Sequence, residues 1–289
     1  MRINGKIVII LVICLAFVTL VAEPKQKGFH CDDPSIREPF IELQISLTKL
    51  LSFSILMPIS VITLSEILLK TSTQSPVKQV IHKNIRIFMF GILANFLVVM
   101  CAKNLFGRLR PHAIHFCNAS HYCPEGLNPL NTDFEYYWQL FRLLITGFDN
   151  KYIDEFECRP KYDGIHMRRN VRHSFYSGHA SLAVYSGVYL ILYLTRKLRP
   201  KSTLHKILLT IIYTAIAITS LYPGFTQWYN YWHFASDVFT GYAIGLLSSV
   251  VIFRTFTTES TVEEKKSDKY IQLNKLLTTA FLPINWKLF

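Results

Sequence analysis

The chain reads as long apolar runs separated by polar joints. Six runs, at 7–22, 50–69, 87–102, 180–194, 207–221 and 238–253, contain one charged residue between them, Glu66. Crossing a bilayer as a helix takes about 17–25 mostly apolar residues. Several runs fall slightly short of that and would borrow aromatic or amphipathic flanks. The pattern predicts an all-α, polytopic membrane protein with six transmembrane helices. The first run has an alternative reading as a signal peptide, with Arg2 and Lys6 as its basic head and cleavage after Ala22. Leu20 suits the −3 position of such a site poorly, which favours an uncleaved helix. Glu66 lies near the end of its run. A transporter or channel would carry ionisable groups deeper in its spans.

The joints differ in charge, and the difference alternates. Arg2 and Lys6 precede the first run. Lys70, Lys78, Lys83 and Arg86 separate the second from the third, and Arg196, Lys197, Arg199, Lys201 and Lys206 separate the fourth from the fifth. Lys265, Lys266 and Lys269 follow the sixth. With six alternating spans all of these share one side, the cytosol. The formal net charge of +12 is thereby accounted for without nucleic acid as a partner.

The polar stretch 103–179 then falls on the outer or luminal face. It holds Asn118-Ala119-Ser120, an N-glycosylation acceptor. Of the six cysteines, Cys31, Cys117, Cys123 and Cys158 lie on that oxidising face, where disulfides persist. Their pairing is open at this stage. His115 and His121 beside Cys117 and Cys123 admit a zinc reading, but the spacing fits no standard ligand pattern, and no metal is expected. Cys14 and Cys101, inside apolar runs, are expected to be small buried hydrophobes. Gly241 and Gly245 make a small-xxx-small face suited to close helix packing.

Three polar clusters fall at the outer mouths of the helices. "KNLFGRLRP" runs from Lys103 to Pro111, with Lys103 and Arg110 two helical turns apart and Arg108 between them. Any one of these cations could instead be snorkelling at a membrane end. "HSFYSGHAS", at 173–181, puts Ser177, Gly178 and His179 at the start of a run. A Gly at a helix N-terminus leaves backbone N–H groups open to an anion, and His moves protons near neutral pH. A capping Ser beside a surface His is the plainer alternative. "TQWYNYWHFASD", at 226–237, sets His233 and Asp237 four apart, where a carboxylate can orient an imidazole. Cations for phosphate oxygens, one His, and a second His held by an Asp form the parts of a phosphoryl-transfer site that needs no metal.

These clusters resemble those of the lipid phosphate phosphatases, in the type 2 phosphatidic acid phosphatase superfamily that also includes vanadium haloperoxidases. That family has Lys, six residues, then Arg-Pro, matched by Lys103 and Arg110-Pro111. Its Ser-Gly-His is Ser177-Gly178-His179, with Tyr176 where many members have Pro. Its third motif is Ser-Arg, five residues, His, three residues, Asp, and His233 and Asp237 match. "KGFHCDDPSIREPF" and "YIDEFECRP" extend the likeness over about residues 5–255. The resemblance implies a helical core shared with the haloperoxidases: a first span at 1–22, a phosphatase domain with five further spans at 23–255, and a cytosolic tail at 256–289.

It further implies His233 as nucleophile, Asp237 as its orienting carboxylate and His179 as acid. Lys103, Arg110, Ser177, Gly178 and position 227 would hold the phosphate, with no cofactor. The substrate would be a membrane lipid phosphate (phosphatidate, lysophosphatidate, ceramide phosphate or sphingosine phosphate), met at the outer face of the plasma membrane or of an endomembrane. Homo-oligomerisation is left open. One departure stands out: Thr226-Gln227 replaces Ser-Arg. Thr keeps a hydroxyl, but Gln removes a fixed charge and the guanidinium fork. Activity would then be reduced unless Arg108, Arg168, Arg169 or Arg172 supplies that charge; the alternative is a catalytically inactive relative that binds lipid phosphates or protein partners.

Overall fold

The structure, a computed structural model, describes residues 3–69, 76–123, 151–159, 170–198, 200 and 202–257. Arg168 and Arg169 and the tail beyond 257 lie outside the described residues. Each of the six apolar runs forms one long helix: α1 (Gly5–Leu20), α2 (Leu47–Leu69), α3 (Val77–Phe106), α5 (Gly178–Lys197), α6 (Thr203–Tyr229) and α7 (Ala235–Thr257). A short α4 (Ala113–Cys117) follows α3. Four of these, α2, α3, α6 and α7, are long and apolar enough to cross a membrane, and α1 is a shorter apolar helix.

The helices outrun the apolar runs where charge and capping allow it. α3 begins ten residues before position 87, through nearly three turns carrying Lys78, Lys83 and Arg86. Its 30 residues make a rod of about 45 Å, longer than a bilayer's hydrocarbon core. Ser202 starts α6, its hydroxyl accepting from the His205 amide.

α5 is the centre of the bundle, packed against α2, α3 and α6. It is buried nearly all round, which explains how it carries Ser181, Tyr185, Ser186, Tyr189 and Tyr193 that lipid contact would penalise. α7 closes on it through small residues. A Cβ at Gly241 would stand 2.6 Å from the Ser177 carbonyl oxygen, and one at Gly245 would strike the Ser181 carbonyl. The paired glycines do serve helix packing. Some of the polar groups buried in the bundle bond one another: Ser181 Oγ donates to Asn95 Oδ1 (2.8 Å), and Asn95 Nδ2 donates to Ser248 Oγ (3.1 Å).

Glu66 is spent at the opposite end from the disulfides. It accepts from Tyr193 Oη (2.7 Å) and Asn84 Nδ2 (3.1 Å) and pairs with Lys197 Nζ (2.5 Å), tying α2, α3 and α5 together. A buried carboxylate survives only with such partners. Cys14 and Cys101 depart from expectation. Both are free thiols on exposed helix faces rather than buried, because α1 and α3 turn those faces away from the bundle.

At the other end a small polar cap covers the helix mouths. β1 (Phe29–His30) and β2 (Tyr152–Ile153) pair antiparallel. Phe29, Ile36, Leu109, Ile114, Phe116 and Val171 form its apolar centre. Disulfides Cys31–Cys123 and Cys117–Cys158 close it, across 92 and 41 residues of chain. Cys31, Cys117, Cys123 and Cys158 are all consumed in this way, so the zinc alternative loses its thiolate ligands.

Candidate active site

The three sequence clusters meet at the capped end of the bundle, each delivered by a helix terminus. α3 ends at Gly107, whose φ of +53° lets the chain turn back where a side chain would collide with the Lys25 carbonyl. Lys103, in the last turn of α3, is buried and its Nζ donates to the His173 carbonyl. Arg110 lies past the turn and is 4 % exposed. Its Nε donates to the Asn170 carbonyl (2.7 Å), and one terminal nitrogen to the Trp232 carbonyl (2.8 Å). The other terminal nitrogen reaches Asn170 Oδ1 at 2.7 Å. Arg110 thus binds the segments before α5 and after α6 to the exit of α3. Burial lowers its pKa to about 9, leaving it charged at neutral pH.

α5 begins at Ser177, whose hydroxyl accepts from the Ala180 amide at 3.4 Å. The capping role is therefore real, and Ser177 is fully buried. Gly178 sits where a Cβ would come 3.1 Å from Val99 and 3.9 Å from the Lys103 side chain, so its bareness leaves the helix N-terminus open toward Lys103. His179 is not a free surface residue. Its Nε2 hydrogen bonds the carbonyl of Ile45 at 3.0 Å, just before α2.

The third cluster spans the turn between α6 and α7. The Gln227 carbonyl accepts from the amides of Trp232 (2.9 Å) and His233 (3.1 Å), folding the loop back on the helix end. Tyr231 adopts a φ of +57°, and its carbonyl is held by His112 Nδ1 at 2.8 Å. Trp232 Nε1 donates to the Ile41 carbonyl at 2.7 Å. Burial, then the charges of Arg110 and Lys103, push the pKa of His233 well below its ordinary value, although a backbone interaction with Ser174 opposes them. The imidazole is therefore neutral at pH 7.

Asp237, fully buried, is where the clusters join. Its Oδ1 accepts from Arg108 at 2.6 Å, and its Oδ2 from Ser174 Oγ at 2.6 Å and from the Phe234 amide at 3.3 Å. Its backbone carbonyl accepts from the Ser177 amide at 3.0 Å. His233 Nδ1 lies 3.6 Å from Oδ2, in ion-pair range but longer than a hydrogen bond. Gln227 is 1 % exposed, and its Nε2 has no hydrogen-bond partner among the described residues. Of the arginines that could stand in for it, Arg172 points elsewhere, donating to the Lys27 carbonyl at 2.6 Å and lying over the Phe156 ring.

Sequence reasoning passed over Ser174 and His112. Ser174 stands inside the quoted motif, and His112 directly follows Arg110-Pro111, so adjacency to a motif was the signal. Their partners, Asp237 and the Tyr231 carbonyl, are 63 and 119 residues away and could not be read from the chain.

Residues 84–260 match the family described as the PAP2 superfamily. Phospholipid phosphatase 1 of Rattus norvegicus is 28 % identical over 286 residues, covering 93 % of this chain and 91 % of the rat protein. Phospholipid phosphatase 2 of Homo sapiens is 27 % identical over 239 residues, covering 80 % of this chain and 74 % of the human one. No solved structure matches the chain. With the family match spanning every cluster of the site, and apolar helices long enough to cross a bilayer around it, the chain is an integral membrane member of the PAP2 superfamily.

Proposed function

We propose that this protein hydrolyses lipid phosphate monoesters, phosphatidate and its lyso, ceramide and sphingosine counterparts, through a phosphohistidine intermediate. One observation carries the reading: a buried imidazole, His233, lies within electrostatic reach of the equally buried Lys103 and Arg110, which favour its neutral form. A neutral imidazole is a nucleophile, and fixed cations beside it stabilise the charge that gathers on phosphorus-bound oxygens. Likeness to proteins named phospholipid phosphatases supports the substrate class.

In the first step the His233 Nε2, the nitrogen turned from Asp237, forms a bond to phosphorus as the bond to the lipid oxygen breaks. His179 gives that oxygen its proton, so the diacylglycerol or equivalent alcohol leaves neutral. Because His179 Nε2 donates to the Ile45 carbonyl, the second proton sits on Nδ1, and His179 enters this step as the imidazolium, favoured by the arriving phosphate dianion. In the second step His179 takes a proton from water, whose oxygen attacks phosphorus and releases phosphate from His233. Lys103, Arg110, the Gly178 amide, Ser177 and Gln227 line the equatorial oxygens. Asp237 offsets the positive charge His233 acquires in the intermediate.

A second reading rests on Gln227. Loss of one transition-state donor costs about 10²–10³ in rate, and an amide in place of a guanidinium suits a pseudophosphatase that binds lipid phosphate without turning it over. Phosphate release from phosphatidate in detergent micelles separates the two. We expect release by the wild-type protein, unchanged by EDTA and abolished by His233→Ala. Release that EDTA stops and Mg²⁺ restores would overturn the histidine mechanism. Folded wild-type protein with no release would favour the second reading.

A further inference from the structure

Asp237 is a carboxylate with 0 % exposure, and such a group needs a counter-charge at hand. Three cations stand near it, and the structure divides their work. Lys103 Nζ turns to the His173 carbonyl, and Arg110 spends its nitrogens on the carbonyls of Asn170 and Trp232 and on Asn170 Oδ1. Arg108 makes the direct ion pair, at 2.6 Å, and adds a bond to Ser236 Oγ at 3.0 Å. Its guanidinium lies 4.0 Å from the centre of the Phe234 ring, and its own carbonyl accepts from the Ser174 amide at 3.1 Å. Arg108, itself in the first cluster, therefore touches the other two through Ser174 and through Phe234, Ser236 and Asp237.

The charge balance gives this placement a purpose. A phosphate dianion beside Asp237 brings three negative charges into one buried site, against which Lys103 and Arg110 set two positive ones. The family places a further arginine at position 227, where this chain has an amide. We propose that Arg108 supplies the charge that position 227 lacks. By neutralising Asp237 it leaves Lys103 and Arg110 for the phosphate, and it holds the carboxylate where it faces His233. Arg108 is in this sense a positioning residue, acting on His233 through Asp237, and the inference rests on the phosphatase reading above.

The test compares kcat/KM on phosphatidate in mixed micelles, across pH, for the full-length protein and its Arg108→Gln, Arg108→Lys, Gln227→Arg and Arg108→Gln/Gln227→Arg variants. The groups facing His233 are Lys103 of α3, Arg110 beyond it, His179 of α5, the Ser174 backbone and Asp237 of α7. With Arg108 gone, Asp237 is left uncompensated and His233 protonates more readily, so the acid limb of the profile moves to higher pH. Arg108→Gln should lower kcat/KM about tenfold or more with that shift, while Arg108→Lys, which keeps the charge, stays within about threefold of wild type. Gln227→Arg should restore at least about fivefold to Arg108→Gln and raise the wild type by a clearly smaller factor, the non-additivity of two positions sharing one task.

Equal gains from Gln227→Arg in both backgrounds would overturn the proposal. So would a uniform loss in Arg108→Gln with an unmoved acid limb and no rescue by Lys. A silent wild type beside an active Gln227→Arg would show a phosphatase site that Arg108 fails to complete. Silence in every folded variant would instead bring down the phosphatase reading itself.

Discussion

At the scale of single residues, the site's side chains are held by carbonyls and carboxylates that also decide their charge. His112 illustrates this. Its Nδ1 donates to the Tyr231 carbonyl, the ring sits among Phe40, Phe116 and Trp232, and burial with the nearby Arg110 lowers its pKa to about 3. The unfolded chain titrates His112 near its ordinary value. Between that value and about 3 the unfolded state therefore binds more protons than the folded one. The stability His112 contributes is complete above about pH 6.5 and is lost as pH falls through that window, at up to about 1.4 kcal/mol per pH unit. We expect the melting temperature in micelles to fall between pH 6.5 and 4.5, and His112→Asn, which keeps a donor but does not titrate, to flatten that fall. Parallel curves for the two proteins would remove His112 from the account.

At the scale of elements, the contact of α5 with α7 places the proposed phosphate seat. Gly241 packs against the Ser177 carbonyl and Ala180, so any side chain there pushes on the first turn of α5. Overpacking of this kind costs about 1–3 kcal/mol. A shift of about 1 Å at a catalytic site can cost about 10²-fold in rate. Gly241→Val should therefore lower the melting temperature by several degrees and cut phosphate release at least about tenfold, consistent with these magnitudes. Gly5→Ala is the control, since a Cβ there meets nothing within 4 Å and should change neither measurement. If Gly241→Val retained full release, the close approach of α7 would not be what holds the seat.

For the whole molecule, the disulfide-bonded cap, the site and Asn118 share one end of the bundle. Asn118 is exposed, with a φ of 51° at the end of α4. Near the same end α6 exposes Tyr222, Trp228 and Tyr229, aromatic residues of the kind that settle at a membrane interface. Together with the basic joints, this supports the proposal that the cap lies outside the cytosol and the site at headgroup level. Enzymatic deglycosylation of the protein from cells should increase its gel mobility, and Asn118→Gln should remove that change. A C-terminal tag should be digested by protease only after the cells are permeabilised. Digestion of the tag in intact cells would invert the topology.

The apolar runs determined that there would be six long helices and roughly where each would lie, because a helix in lipid must be apolar whatever its neighbours. Residue type and spacing likewise marked Lys103, Arg110, Ser177, Gly178, His179, His233 and Asp237 as candidates, since i, i+4 and two-turn spacings are properties of the chain alone, and the family resemblance added Gln227. Tertiary structure decided the rest. α5 is shielded as the central helix, and Cys14 and Cys101 face outward, because burial depends on which helix faces which. Cys31 pairs with Cys123 and Cys117 with Cys158, out of connectivities the sequence leaves equivalent. Most of all, it decided which arginine attends Asp237. Arg108 and Arg172 look alike along the chain, but the turn at Gly107 carries one into the site, and the other leaves it for the Lys27 carbonyl. A charge's effect depends on distance and burial, and both are set only when the helices come together.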